Sequence, residues 1–201
     1  MRIPVIVAAA GGSSRHPGNK LLALYHGKPL LQWLLGTLSA HSRLGRILVV
    51  TGAQRDEVEA LLYPFPRAGS VFNPHWRAGL ASSLRLGVQM LPPTEGFLVA
   101  MGDTPFFSLS TLNRILPNSA ERTRSARVPT YRDEEGYPMY FSGETRRKWN
   151  SLEGEQGARS ILRQLCDVER LSVDDAGVLQ DLDRPEDFPS ADTLEIATVR
   201  R

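Results

Sequence analysis

Short apolar runs alternate along this chain with segments of helical length, and this alternation is the feature that most restricts its fold. Strands separated by helices predict a parallel sheet whose faces are covered by those helices. The strands predicted before residue 118 are IPVIVAAA, RILVVTG, SVFNP and GFLVAMGD. The predicted helices are PLLQWLLGTLSAH, DEVEALL, AGLASSLRLGVQML and SLSTLNRIL, the last of them capped by Ser108 or Ser110.

The pattern changes after Asn118. ARVPTY, GYPMYF and VERLSV are typical of strands, ETRRKW and GARSILRQL are typical of helices, and the tail after Phe188 is expected to be a closing helix or a loose end. No linker or repeat interrupts the chain, and 201 residues are enough for one core. We therefore expect a single domain over 1–201, with halves 1–118 and 119–201, built on a mostly parallel, mixed sheet with helices on both faces.

Composition excludes several classes of protein. The 24 basic and 22 acidic residues give a net charge of +2, which is too balanced for a nucleic-acid-binding protein. No apolar stretch approaches the roughly 20 residues that span a membrane, and IPVIVAAA is interpreted as a buried strand because it runs straight into a polar loop. The single cysteine, Cys166, cannot form an internal disulfide, so we expect a reducing, cytoplasmic compartment and a small core residue at this position.

The loop GGSSRHPGNK follows the first predicted strand and has the composition of an anion site. Gly11 and Gly12 let the backbone turn sharply and bring its N–H groups close to a phosphate. Ser13 adds a hydroxyl donor, while Arg15 and Lys20 supply positive charge for a triphosphate. The spacing is not that of a P-loop or a dinucleotide fingerprint, so a solvated surface turn remains the alternative on this loop alone.

Three aspartates form the acidic part of the pattern. Asp103 ends the fourth apolar strand, where a lone buried carboxylate is costly, and magnesium with substrate phosphates would be a suitable partner. If Asp103 has no partner in the metal-free protein, Asp103→Asn is expected to stabilise the fold. Asp181 and Asp183 share one face of an extended segment and could complete the cation site. The alternatives are a turn or cap aspartate at 103 and a solvated acidic turn before Pro185.

Taken together, these motifs resemble the MobA-like nucleotidyltransferases, most closely the branch of molybdenum cofactor cytidylyltransferases. AAGGSSRHPGNKLL is similar to the family's AAGxSxRMGxxKxLL signature, and the resemblance continues through six further segments: HGKPLLQWLL, FNPHWRAGLASSLRLGV, MGDTP, GYPMYF, EGEQGARSIL and DLDRPEDF. The resemblance implies a Rossmann-like, doubly wound fold of the nucleotide-diphospho-sugar transferase type. It also implies that 1–118 is the nucleotide-binding half and that 119–201 is the acceptor-binding half with a closing segment.

Site residues follow from the resemblance position by position. It implies that the nucleotide is bound by Ala10, Gly11, Gly12, Ser13, Arg15, Lys20, Gly79, Ser83 and Asp103. Arg15, Lys20 and Asp103 would be catalytic, Asp103, Asp181 and Asp183 would bind Mg²⁺, and Tyr137 and Pro138 would contact the acceptor. Trp76 lies within the base-lining motif and could border the pocket.

Departures from the family pattern concern the acceptor more than the nucleotide. His16 and Pro17 replace the methionine and glycine of the first signature, Tyr137 replaces a histidine, and Gln156 replaces an aspartate.

The implied activity is Mg²⁺-dependent transfer of a nucleotide from a nucleoside triphosphate to molybdopterin, with release of pyrophosphate. CTP is the favoured donor, with ATP or GTP as alternatives, and a molybdenum enzyme would be the client of the product. Two other functions stay open at this point. One is transfer to a sugar phosphate, phosphocholine or another small phosphate, and the other is a non-catalytic cofactor carrier for a molybdenum enzyme.

Overall fold

The computed structural model describes residues 2–12, 19–93, 96–118 and 124–180. Within these ranges the strands are β1 (Ile3–Ala9), β2 (Leu24–Tyr25), β3 (Lys28–Pro29), β4 (Leu44–Thr51), β5 (Ala68–Phe72), β6 (Gly96–Met101), β7 (Ala126–Tyr131), β8 (Glu134–Glu135), β9 (Met139–Ser142) and β10 (Val168–Ser172). The α-helices are α1 (Leu30–Ala40), α2 (Arg55–Ala60), α3 (Leu80–Met90), α4 (Leu109–Ile115) and α5 (Ala158–Leu162). Short 3₁₀ helices span Lys20–Leu22, Trp76–Ala78, Gly143–Ser151 and Ala176–Val178.

One mixed sheet organises these elements. Its strand order is β10-β7-β9-β6-β1-β4-β5, with β8 attached to β7. The four strands β6, β1, β4 and β5 are mutually parallel, whereas β9 runs antiparallel between β6 and β7. The mostly parallel, mixed sheet predicted from the sequence is confirmed.

Two apolar layers cover the faces of the sheet. Alternate residues of β1 point to opposite sides, so that Val5 and Val7 join one layer while Ile6 joins the other. The first layer contains the apolar face of α1 and α4, and the second contains α3, α5 and the fully buried Trp149. Burial on both faces explains why the central strands are continuously apolar in sequence.

Some details of the prediction are wrong. The hairpin of β2 with β3 was not predicted. ETRRKW is helical as predicted, but it belongs to a 3₁₀ helix, Gly143–Ser151, and not to an α-helix. Cys166 is exposed and not a core residue, because α5 already ends at Leu162 and Cys166 falls in the bend before β10. The tail after Phe188 lies outside the described residues. None of the helices in the described ranges is long and apolar enough to cross a membrane.

Candidate functional site

The parallel strands β1, β4, β5 and β6 all end at the same edge of the sheet, and the loops that follow them meet there. The backbone N–H of Gly102 donates to the carbonyl of Ala8 over 2.9 Å, and that of Ala53 donates to the carbonyl of Ala10 over 3.0 Å. These bonds join the end of β1 to the loop after β6, and the loop after β1 to the loop after β4. In open α/β sheets this carboxyl edge is where ligands bind.

Lys20 and Asp103 form an ion pair across this edge, with 2.6 Å between Nζ and Oδ2. Lys20 begins the 3₁₀ helix after the glycine loop, and the side chain of Asn19 caps that helix by accepting from the N–H of Leu21. The two side chains are 13% and 18% exposed, so they are largely shielded from water. The fold thus brings together the cation of the first motif and the carboxylate that follows β6.

The ion pair corrects one expectation. Asp103→Asn was expected to stabilise the metal-free protein if the carboxylate had no partner, but Lys20 neutralises it. Removing the charge of Asp103 would take its counter-charge away from the Lys20 ammonium in a poorly hydrated place, which is destabilising.

The first part of the glycine loop packs closely on the neighbouring loop. Ala10 is buried, whereas Gly11 and Gly12 are exposed. Gly52 allows the close approach, because a Cβ there would lie 2.5 Å from the carbonyl oxygen of Ala10 and 2.7 Å from the Cβ of Trp76. A Cβ on Gly12 would lie 3.5 Å from the Trp76 ring, so this half-buried tryptophan stands beside the loop. Ser13, Arg15, His16 and Pro17 lie outside the described residues.

The turn before α3 forms another side of the site. Gly79 has a φ of +100°, and a Cβ there would lie 2.2 Å from the carbonyl oxygen of Gly154. Only glycine fits both the backbone conformation and the space. Ser83 is buried at 3% exposure, and its hydroxyl accepts a hydrogen bond from Nδ2 of Asn73 over 3.0 Å.

Asn73 is a residue that the sequence reasoning missed. Its amide also donates to Ser82 Oγ over 2.8 Å, and its Oδ1 accepts from the N–H of His75 over 3.0 Å. The side chain therefore ties the end of β5 to the first turn of α3. A signal was present in the sequence, because an asparagine directly after a strand and before a proline is typical of a turn in which the side chain binds a backbone N–H two residues on.

The EGEQGAR segment covers the amino end of α3. The carbonyl of Gly154 accepts from the N–H of Ala81 over 3.0 Å, and Oε2 of Glu155 accepts from the N–H of Leu80 over 3.4 Å. Gln156, which departs from the family pattern, accepts from the N–H of Glu153 over 3.0 Å and so closes its own turn. Both predicted motifs, EGEQGAR and the stretch around Gly79, are thus adjacent.

Tyr137 and Pro138 directly precede β9 in the second half of the chain. Pro138 is buried, Tyr137 is half-buried, and the peptide bond between them is cis. The N–H of Tyr137 donates to the carbonyl of Val178 over 2.8 Å. The guanidinium of Arg159 lies 5.6 Å from the centre of the Tyr137 ring, within the range of a cation–π contact.

Asp175 fastens the segment Ala176–Val178 to the start of α4. Its Oδ2 accepts from the N–H and the hydroxyl of Ser108, over 2.8 and 2.9 Å, and from the hydroxyl of Thr111 over 2.5 Å. Its Oδ1 accepts from the N–H of Gly177 over 3.1 Å. This aspartate, also missed from the sequence, links the loop after Asp103 to the segment that contacts Tyr137.

Asp103 is the carboxylate that the structure places just after the end of β6, paired with Lys20. Asp181 and Asp183 lie outside the described residues, and within those residues no group of three or more His, Cys, Asp or Glu side chains could hold a metal ion. Mg²⁺ commonly uses one or two carboxylates together with substrate phosphates and water. The donor set is therefore suited to a hard cation shared with a phosphate ligand and not to a closed protein cage.

A comparison with known families identifies the chain. Residues 5–169 match the MobA-like NTP transferase domain. The chain belongs to this family. As a MobA-like protein it is a nucleotidyltransferase, and both glycine loop and strand-end aspartate fall within the matched range.

Individual relatives cover nearly the whole MobA-like chain. Purine catabolism protein PucB of Bacillus subtilis is 29% identical, with 94% of this chain and 96% of PucB covered. Nicotine blue oxidoreductase of Paenarthrobacter nicotinovorans is 28% identical, with 90% and 92% covered. Molybdenum cofactor cytidylyltransferase of Escherichia coli is 25% identical, with 94% and 95% covered.

Solved structures agree on the fold. Rv0371c of Mycobacterium tuberculosis H37Rv superimposes with a TM-score of 0.78 at 25% identity, covering 94% of this chain and 96% of that one. A manganese complex of Rv0371c gives a TM-score of 0.71 at 22% identity, with 94% and 96% covered. The Rossmann-like fold of the nucleotide-diphospho-sugar transferase type, expected from the resemblance, is confirmed.

Proposed function

We propose that this protein transfers the nucleotidyl group of CTP to the phosphate of molybdopterin in the cytoplasm and releases pyrophosphate. The observation that carries the proposal is the ion pair between Lys20 and Asp103, which places a cation and a carboxylate beside the glycine loop. The relative named molybdenum cofactor cytidylyltransferase supports the choice of donor and acceptor. A molybdenum enzyme would then receive the product.

Each residue has a distinct task in this proposal. Gly11 and Gly12 offer exposed backbone to the triphosphate, and Lys20 neutralises charge on it. Arg15 is proposed to do the same from the other part of the loop. Asp103 is proposed to hold Mg²⁺, which when bound supplies charge neutralisation at the phosphates. Because the reaction needs no covalent protein intermediate, positioning and electrostatics provide the catalysis.

The two halves of the chain divide the substrates. We assign the nucleotide to 1–118, where Gly79 and Ser83 border the proposed base and ribose site, and the acceptor to 119–201. Asp181 and Asp183 are proposed as additional Mg²⁺ ligands. Tyr137, which contacts Val178 and Arg159, is proposed to contact the acceptor together with Pro138.

Two other functions are considered, transfer of the nucleotide to a different acceptor and carriage of a cofactor without catalysis. Tyr137 stands where the family has a histidine, which favours considering sugar phosphates and other small phosphates. Two relatives carry names that do not mention nucleotide transfer, purine catabolism protein PucB and nicotine blue oxidoreductase. A non-catalytic cofactor carrier for a molybdenum enzyme is therefore kept as the other alternative. The paired Lys20 and Asp103 favour transfer over carriage, since a carrier has no need of this charge arrangement.

The test is a matrix of the four nucleoside triphosphates against molybdopterin, sugar phosphates and phosphocholine, with pyrophosphate release as the readout. We expect release with CTP and molybdopterin, and slower release with GTP or ATP. Lys20→Ala should reduce it about 100-fold, while Lys148→Ala, which changes an exposed lysine, is the matched control. Release that requires a sugar phosphate would reassign the acceptor, and no release in any cell of the matrix would favour the carrier.

A further inference from the structure

A cavity of about 450 Å³ lies at the opposite edge of the sheet from the catalytic loops. It is lined by residues near the starts of β1, β4 and β5, including Arg2, Arg46 and Arg67. Since β1 is seven residues long, and a strand rises about 3.3 Å per residue, the two edges are roughly 20 Å apart. The cavity is therefore separate from the site around Asp103.

The three arginines differ in how they are held. Arg67 is half-buried and donates to the backbone carbonyls of Ser39, His41 and Leu44, so its guanidinium is fixed as a cation in the wall of the cavity. Arg46 is exposed and, within the described residues, it forms neither an ion pair nor a side-chain hydrogen bond, and the same holds for Arg2. Two guanidinium groups are thus available to a ligand beside a third that is already in place.

The shape of the cavity and its positive charge both suit an anionic ligand. Gly45 and Gly69 lie between the arginines: a Cβ on Gly45 would stand 3.2 Å from the Cβ of Arg2, and one on Gly69 would stand 3.7 Å from Nη2 of Arg46. No carboxylate lines the cavity among the residues that the structure describes. Three positive charges without a counter-charge in one concave place attract anions, and guanidinium groups match the geometry of phosphate oxygens.

We propose that this cavity binds a small phosphate-bearing polyanion. The volume is in the range of small-molecule sites, roughly 300–1,000 Å³, and suits a compact ligand. The site does not depend on the reaction at the other edge, so it stands or falls independently of the proposed function. A phosphorylated metabolite bound here would not compete with a nucleotide for the loop after β1.

Titration calorimetry with inorganic tripolyphosphate tests this proposal on the full chain. Wild type should bind two equivalents, one at each edge of the sheet. The double variant Arg2→Ala/Arg46→Ala should lose one of them or bind it at least about tenfold more weakly, since each charge-assisted hydrogen bond that is lost costs on the order of a tenfold factor or more. Arg147→Ala, an exposed arginine elsewhere, should retain both.

A second pair of measurements separates this site from the catalytic edge and from general charge attraction. Lys20→Ala should weaken the other equivalent and leave the arginine site unchanged. In NMR spectra the amide signals of Gly45 and Gly69 should shift when tripolyphosphate is added to wild type or to Lys20→Ala. Arg46→Lys should bind tripolyphosphate more tightly than Arg46→Ala but more weakly than wild type, because lysine keeps the charge but cannot form the two parallel hydrogen bonds of a guanidinium. Unchanged binding in Arg2→Ala/Arg46→Ala, or an equal loss in Arg147→Ala, would overturn the proposal.

Discussion

Breaking the ion pair between Lys20 and Asp103 should destabilise the metal-free protein and not stabilise it. The two atoms are 2.6 Å apart and the side chains are 13% and 18% exposed. A hydrogen bond of this charged kind contributes about 1.5–3 kcal/mol. Removing one partner of a fully buried pair costs about 3–5 kcal/mol, but Lys20 stands at the rim of the sheet and can regain some water. We therefore expect Asp103→Asn to lower the free energy of unfolding by about 2 kcal/mol.

The assay is urea unfolding without metal of wild type, Lys20→Ala, Asp103→Asn and the double variant. A coupling free energy of about 1–2 kcal/mol between the two sites is expected, and the melting temperature of Asp103→Asn should fall by about 4–8 °C for a chain of this size. The reasoning is refuted if Asp103→Asn is as stable as wild type or if the effects of the two single substitutions simply add.

The same variant tests the role of the carboxylate in catalysis. Asp103→Asn keeps the size of the side chain but not the charge that a hard cation requires, so turnover should fall about 100-fold or more. A magnesium titration of the remaining activity should show a midpoint at much higher concentration. An active variant with an unchanged midpoint would place the metal elsewhere, with Asp181 and Asp183 as the next candidates.

Three further substitutions and one pH effect can be checked separately. Gly79→Ala should cost at least about 3 kcal/mol in urea unfolding, because φ is +100° and the new Cβ would meet the Gly154 carbonyl at 2.2 Å. Asp175→Ala removes four accepted hydrogen bonds and should cost about 2 kcal/mol. Arg15→Ala should abolish most turnover with little change in melting temperature. Partial burial raises the pKa of Glu59, but hydrogen bonds from Arg55, Ser70 and Thr51 together with the charge of Arg55 lower it by more, so the net pKa lies below 4.5. The stabilisation by Glu59, measured against Glu59→Gln, should therefore be present above pH 4.5 and disappear as the pH falls through the lowered pKa.

The sequence was sufficient for the parts of the fold that depend on repeating local patterns. The strand β1 follows from a short continuous apolar run, and the helix α1 follows from an apolar segment of helical length. Ser108, one of the two caps predicted for α4, accepts from the N–H of Thr111. The meeting of the glycine loop with Asp103 also follows, because parallel strands end at a common edge.

What the sequence could not supply are the partners that only the packed chain creates. Nothing local to Lys20 says that its ammonium faces Asp103, which is distant in sequence, and the same holds for Asp175 and Ser108. Cys166 was misplaced for a related reason. A small cysteine side chain is typical of a core residue, but α5 ends early and leaves Cys166 in an exposed bend.

Transfer of label from α-phosphate-labelled CTP to molybdopterin is the measurement that tests the proposed function most directly. In the presence of Mg²⁺, the account predicts a labelled product with the mass of molybdopterin joined to CMP and one pyrophosphate for each product formed. Asp103→Asn should form this product at least about 100-fold more slowly. If wild type binds CTP but all label stays in CTP with molybdopterin present, the protein does not perform the proposed transfer.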